Sequence, residues 1–158
     1  MLVAGIVFVF GVFSCIHSAP LNLSPDALEV LKIALEEWSE GNHPFLSERL
    51  QSLIRAKCPR FFPVFYHDTF QIRILKEKFP PVLNDLIASY QVQQVMAMTG
   101  KYTERAKAVV KKQIMAALDK MTYEDKKAFG TYYSMITALE KKYSKGVEGC
   151  PMISESLK

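Results

Sequence analysis

Residues 103–145 constrain the fold more than any other stretch, because they predict two long amphipathic helices joined at a single turn. In each helix apolar residues recur at intervals of three and four, a spacing that places them on one side. Lysines occupy most positions between them in the first helix, so its other side is predicted to face water. Two helices that each carry an apolar side must bury those sides, which predicts a helical bundle.

The second of these helices has its own start and stop signals. Thr122 is a good N-cap, and Asp125, three residues later, can replace the Glu of a capping box. Lysines close the second helix, and Gly146 follows them as the residue expected to end it. The second helix is therefore predicted to begin after Thr122 and to end before Gly146.

The remaining chain predicts four further helices, at about residues 25–40, 45–57, 63–78 and 81–98. Ser24, followed by Pro and Asp, is a strong helix start, and prolines separate the later segments. No stretch alternates apolar and polar residues in the manner of a strand. The 158 residues are therefore predicted to form one all-α domain of about six or seven amphipathic helices.

The N-terminus resembles a targeting segment rather than part of the fold. Residues 1–18 are largely apolar and carry no charged side chain, which predicts a cleaved signal peptide and a secreted protein. Ser18 is favoured over Ala19 as the last residue before cleavage, and an uncleaved anchor is the alternative. Asn22 then opens an acceptor sequence for N-glycosylation. The helical domain is predicted at 19–146, and the polar segment 147–158 is predicted to be a flexible tail.

Charge and cysteine content limit the possible partners. Cleavage would leave Cys58 and Cys150, which could pair in an oxidising compartment; the sequence leaves both states open. A formal net charge of +4 allows weak attraction to anionic surfaces but does not predict nucleic-acid binding. Six lysines could have either of two roles: Lys107, Lys111, Lys112, Lys120, Lys126 and Lys127. The favoured interpretation is that they form the solvated side of the helices, and the alternative is transient contact with anionic membranes.

The sequence contains no motif that would support catalysis or metal binding. The three histidines are His17, His43 and His67. His17 lies in the predicted signal peptide, and no other Cys or His lies at metal-ligand spacing around His67. There is no nucleophile motif and no glycine-rich phosphate loop. We therefore expect no enzymatic activity, no metal and no cofactor.

The order of segments resembles the nematode fatty-acid- and retinol-binding proteins over nearly all of the mature sequence. Residues 23–26 are similar to the opening of that family, and residues 53–59 to one of its helix ends, with Cys in place of the usual Ser. Residues 84–88 resemble an acidic and aliphatic stretch of the family. The closest match is 106–129, where the family has a helix, a cap, acids, Lys and Phe. The chain departs from the family in being more aromatic at 61–70.

This resemblance implies an all-helical bundle around an internal apolar cavity. Proteins of this family carry fatty acids and retinol, use no metal and catalyse no reaction. A buried fatty-acid chain gains on the order of 10 kcal/mol, at about 0.8 kcal/mol per methylene. Its carboxylate needs water or a cation, and Arg73 or Lys76 is the expected cation, on a helix that should border an opening. The cavity wall is predicted from apolar-side positions: Leu53, Phe65, Phe70, Leu75, Leu86, Val95, Val110, Ile114, Leu118, Phe129, Tyr133 and Ile136.

Two other functions fit the same pattern. The chain could be a secreted helical interaction protein with a solid core, since periodicity does not separate cavity wall from ordinary core. It could also be a membrane-active helical protein that perturbs lipid through its lysines. Uptake of a fatty acid or retinol separates a carrier from the first alternative, and vesicle leakage separates it from the second.

Overall fold

The computed structural model describes residues 22–98, 100 and 103–157; the predicted signal peptide 1–18 lies outside them. Within the described residues the fold is all-α, as predicted, and none of the helices is long and apolar enough to span a bilayer. A 3-10 helix at Pro44–Leu46 accompanies the α-helices, which are α1 Pro25–Ser39, α2 Glu48–Lys57, α3 Phe62–Glu77, α4 Pro81–Met98, α5 Glu104–Asp119, α6 Tyr123–Ser144 and α7 Pro151–Ser156.

The predicted helix ends are present in the structure. The Ser24 Oγ accepts the Ala27 N–H at 3.2 Å and so caps α1. Thr122 and Asp125 form the capping box at the start of α6: the Thr122 Oγ1 accepts the Asp125 N–H, and the Asp125 carboxylate accepts the Thr122 N–H. Gly146, just beyond α6, has a φ of 122°, a backbone conformation that favours glycine. These ends were predictable because each is decided by a few neighbouring residues.

The helices pack around a shared hydrophobic core. α1 lies against α4 and α7, α3 lies against α6, and α5 lies against α4. Among the described residues, the largest side chains with almost no exposure come from α2, α3, α4, α6 and α7: Leu50, Ile54, Phe65, Ile72, Leu83, Ile87, Tyr132, Tyr143 and Ile153. The core therefore includes the C-terminal helix as well as the bundle predicted upstream of it.

Tyr143 of α6 is the centre of an aromatic cluster that joins α6 to α3. Its ring lies 5.5 Å from that of Phe45, 5.6 Å from Phe61 and 6.2 Å from Phe65. The Tyr143 hydroxyl donates to the Asp68 carboxylate at 2.8 Å. Burial and this hydrogen bond both raise the pKa of Tyr143, so the phenol stays protonated and remains a donor. The buried end of the side chain is thus satisfied while its ring fills the core.

The prediction of a flexible tail at 147–158 was wrong for residues 151–156, which are half of that segment. Residues 151–156 form α7, which packs against α1 and α6. Its apolar side chains, Met152 and Ile153, are buried, and Leu157 beyond them is 9% exposed. The Glu155 carboxylate also accepts the Ser24 hydroxyl at 2.6 Å, across 131 residues of sequence. Tertiary contacts of a few apolar side chains, rather than helical periodicity, order this segment.

Cys58 and Cys150 form a disulfide, which joins the end of α2 to the start of α7. Both cysteines are buried, at 5% and 0% exposure. The pairing that the sequence left open is therefore present, and it fixes the position of α7 beside the core.

We expect the double substitution Cys58→Ala, Cys150→Ala to lower the free energy of unfolding strongly. The bond closes a loop across a sequence separation of 92 residues, and a loop of this size corresponds to about 4–5 kcal/mol in the chain-entropy description. Urea unfolding followed by circular dichroism measures the change. Reductant should destabilise the native chain and leave the double variant unaffected. A native chain that unfolds at the same urea concentration with and without reductant would contradict the pairing.

Gly41 allows the chain to turn sharply between α1 and the 3-10 helix. Its φ is 81°, and a Cβ built on it would lie only 2.8 Å from the Cβ of Ala88 in α4. Both the backbone conformation and the close approach therefore require glycine here. The result is that the end of α1 lies directly on α4.

Gly41→Ala should lower the free energy of unfolding by about 2–3 kcal/mol, because the new methyl group meets Ala88 in a strained backbone conformation. Gly130→Ala is the matched control: Gly130 lies within α6 and an added Cβ meets nothing within 4 Å. The control should be stabilised by about 0.5–1 kcal/mol. Thermal unfolding of both variants tests this, and a loss at Gly41 no larger than the change at Gly130 would refute the close approach.

Candidate functional site

An open cleft of about 600 Å³ lies where the end of α1 meets α3 and α4. The turn at Gly41 forms one part of its lining, together with polar side chains from both helices. The lining residues are Glu40, Gly41, Asn42, Leu46, Arg73, Lys76, Glu77, Asn84, Asp85 and Ala88. The cleft therefore contains both cations that the sequence analysis selected as candidates for a ligand carboxylate.

Arg73 has hydrogen-bonding capacity that the fold leaves unused. Its Nε and Nη2 are buried, and neither has a hydrogen-bond partner in the described part of the chain. The guanidinium lies 5.4 Å from the ring centre of Tyr66, which stabilises the cation without satisfying its donors. Burial lowers the pKa of Arg73, as expected for a cation partly withdrawn from water. Nε–H and Nη2–H lie on one edge of the guanidinium, the geometry that binds a carboxylate through two hydrogen bonds.

Lys76 lies three residues after Arg73, which places the two side chains next to each other on α3. It is half-buried, and burial lowers its pKa, while the nearby Glu37 acts in the opposite direction. Two neighbouring cations that are both withdrawn from water favour an anion at this position.

The cleft also contains carboxylates, so it is not uniformly positive. Glu40, Glu77 and Asp85 line it, and all three are exposed. Water and salt screen exposed charges, whereas half-buried charges are screened much less. A ligand anion would therefore be attracted by Arg73 and Lys76 at short range, rather than by the net charge of the cleft.

The predicted cavity-wall residues occupy different environments. Four are buried in the core: Phe65, Leu86, Ile114 and Ile136. Seven are half-buried. Six of them pack against the core cluster, namely Leu53, Leu75, Val110, Leu118, Phe129 and Tyr133, and the seventh is Val95. Phe70 is 40% exposed on the outer side of α3, so its assignment to an interior wall was wrong. An enclosed apolar cavity stays a prediction.

The apolar side of α5 is only partly covered. Ile114 is its one buried residue, while Val110 and Leu118 are half-buried. The helices before and after α5 in the chain, α4 and α6, share a cluster of aromatic rings. The Tyr90 ring stacks on that of Phe129 at 5.8 Å and lies 5.4 Å from that of Tyr133. α5 therefore buries its apolar side less completely than a core helix such as α6, which buries Tyr132, Ile136, Leu139 and Tyr143.

A further apolar track leads along α4 from the cleft. Ala88, Val92 and Val95 follow each other at intervals of four and three, which places them on one side of the helix. Ala88 lines the cleft, Val92 is 38% exposed and Val95 is half-buried. From Asp85 to Val95 the helix rises about 15 Å. The track thus offers apolar contact for a chain that starts in the cleft.

Sequence reasoning selected Arg73 and Lys76 but missed the other side of the cleft. The Gly41-Asn42 pair carries a turn signal, which predicts the connection after α1 but not its place in a cleft. Asn84 and Asp85 carried no comparable signal, because their position depends on how α1 lies on α4. In the described residues, no group of three or more His, Cys, Asp or Glu side chains is arranged to hold a metal ion.

Comparisons with known proteins do not assign a function, so a functional assignment depends on the site itself. No protein-family model, no curated protein and no solved structure matches this chain.

Proposed function

We propose that this protein is a secreted, non-enzymatic carrier of fatty acids and retinol. The observation that carries the proposal is that Arg73, whose Nε and Nη2 have no hydrogen-bond partner in the described part of the chain, lines an open cleft together with Lys76. Buried donors in proteins almost always have partners, and a guanidinium edge without one is matched in geometry by a carboxylate. A fatty acid supplies that carboxylate together with a long apolar chain.

The hydrocarbon chain would lie along the apolar track on α4. The carboxylate binds at Arg73 and Lys76, and the chain passes Ala88 toward Val92 and Val95. The incompletely covered side of α5 provides further apolar surface for it. Each buried methylene contributes about 0.8 kcal/mol, so contact along the track adds to the affinity without any directional bond. Retinol has a hydroxyl group instead of a carboxylate, so its affinity would depend on the apolar contacts alone.

The Arg73→Gln variant should bind oleate about tenfold more weakly and retinol with unchanged affinity. A charge-assisted hydrogen bond is worth about 1.5–3 kcal/mol, and about 1.4 kcal/mol corresponds to a tenfold change. Displacement of a fluorescent fatty acid by oleate, and the fluorescence of bound retinol, measure the two affinities. Arg105→Gln, which removes an exposed arginine on α5, is the matched control and should change neither.

The Val92→Gln variant should weaken oleate and retinol alike, because both would use the apolar track. Val109→Gln is its control, since Val109 is 51% exposed and lies about 140° around α5 from Ile114, the buried residue of that helix. Oleate binding that is unchanged in the Arg73 variant would reject the head-group site. A purified chain that takes up neither oleate nor retinol would reject the carrier function and favour a solid-core interaction protein.

A further inference from the structure

The outer side of α3 carries a row of aromatic rings, formed by Phe62, Tyr66 and Phe70. These residues recur at intervals of four, and their ring centres are 6.0 Å and 5.9 Å apart. Tyr66 is 42% exposed and Phe70 is 40% exposed, while Phe62 is half-buried. Pro63 is exposed on the same side. The solvent side of an amphipathic helix is normally polar, so a continuous aromatic row marks an interaction surface.

Cations border the aromatic row. The Arg55 guanidinium lies 4.6 Å from the ring centre of Phe62, and that of Arg73 lies 5.4 Å from Tyr66. Arg60 is exposed just before α3, and Lys78 is exposed at its end. The acids at this surface are Glu48, which acts on Arg73, and the exposed Glu77. The residues that flank the row therefore carry an excess of positive charge, with four cations against two carboxylates.

We propose that the aromatic row on α3 docks this protein on the headgroup region of an anionic phospholipid bilayer. Aromatic side chains are enriched at membrane interfaces, where their rings meet the acyl chains and their polar groups remain hydrated. Arg55 is exposed and stacks on Phe62, so it can present its charged end to lipid phosphates. The surface therefore combines the two contacts that hold a peripheral protein on an anionic membrane.

The lysine-rich side of α5 does not combine these contacts. Its large exposed apolar residues, Val109 and Met115, lie about 120° apart around the helix and form no row. Lys107 is paired with Glu104 at 2.6 Å. The aromatic row also fits a second copy of the chain poorly, because symmetric pairing of one patch would bring its arginines against one another. A bilayer that carries negative charge meets the same row without that conflict.

Flotation of the full chain with vesicles tests the docking surface. The protein should bind vesicles of phosphatidylcholine with phosphatidylserine, and bind vesicles of phosphatidylcholine alone much more weakly. Phe70→Gln should weaken binding to the anionic vesicles about tenfold, through lost apolar contact. Tyr123→Gln is the matched control, because Tyr123 is 76% exposed but lies outside the row. Arg55→Gln should reduce binding more than Lys112→Gln, although both remove one positive charge.

Three results would overturn the proposal. The first is a native chain that does not float with phosphatidylserine vesicles. The second is an equal loss of binding in the Phe70 and Tyr123 variants. The third is a dimer, detected by analytical ultracentrifugation, that Phe70→Gln dissociates while vesicle binding is unchanged. The proposal does not rest on the carrier function. Because Arg73 borders both the cleft and the row, Phe70→Gln and Arg55→Gln separate the two: both should weaken vesicle binding and retain oleate affinity.

Discussion

The disulfide between Cys58 and Cys150 joins two parts of the chain that are distant in sequence, at a corner where the start of α1 meets both of them. It joins the end of α2 to the start of α7, and α7 is too short to be stable alone. At the same corner Glu155 accepts the Ser24 hydroxyl at the start of α1, and Lys57 pairs with Asp26 at 2.9 Å. The cross-link thus supplies the tertiary contact that helical propensity cannot, and it positions α1 for the remainder of the fold.

The candidate site depends on where α1 ends. α1 lies on α4, and at its C-terminal end Gly41 meets Ala88 so closely that no side chain fits between them. This contact brings the turn after α1 over the first half of α4, opposite Arg73 and Lys76 of α3. The cleft is therefore a consequence of helix packing at one end of α1, and the corner formed by α7 holds the other end.

The sequence predicted what local interactions decide. Thr122 with Asp125, and Ser24 with Pro25, determine helix starts within one turn, and the structure contains both. α7 was missed because its two or three apolar residues make no period, and only their burial orders them. In α3 the pattern was ambiguous: Phe65 and Ile72 are buried, while Tyr66 and Phe70 face outward. Apolar residues on both sides of a helix leave the choice of buried side to its neighbours, here the Tyr143 cluster.

Arg73 lies at the boundary between the cleft and the aromatic row. Its guanidinium contacts Tyr66 of the row, and the same side chain lines the cleft. A bilayer against α3 would therefore lie next to the opening through which a ligand enters. A hydrocarbon chain that leaves a protein for water exposes each methylene at a cost of about 0.8 kcal/mol, whereas one that passes directly into lipid does not. If both proposals hold, docking through α3 lowers the barrier to ligand exchange, and the exposed rings of α3 have a physical reason to remain outside the core.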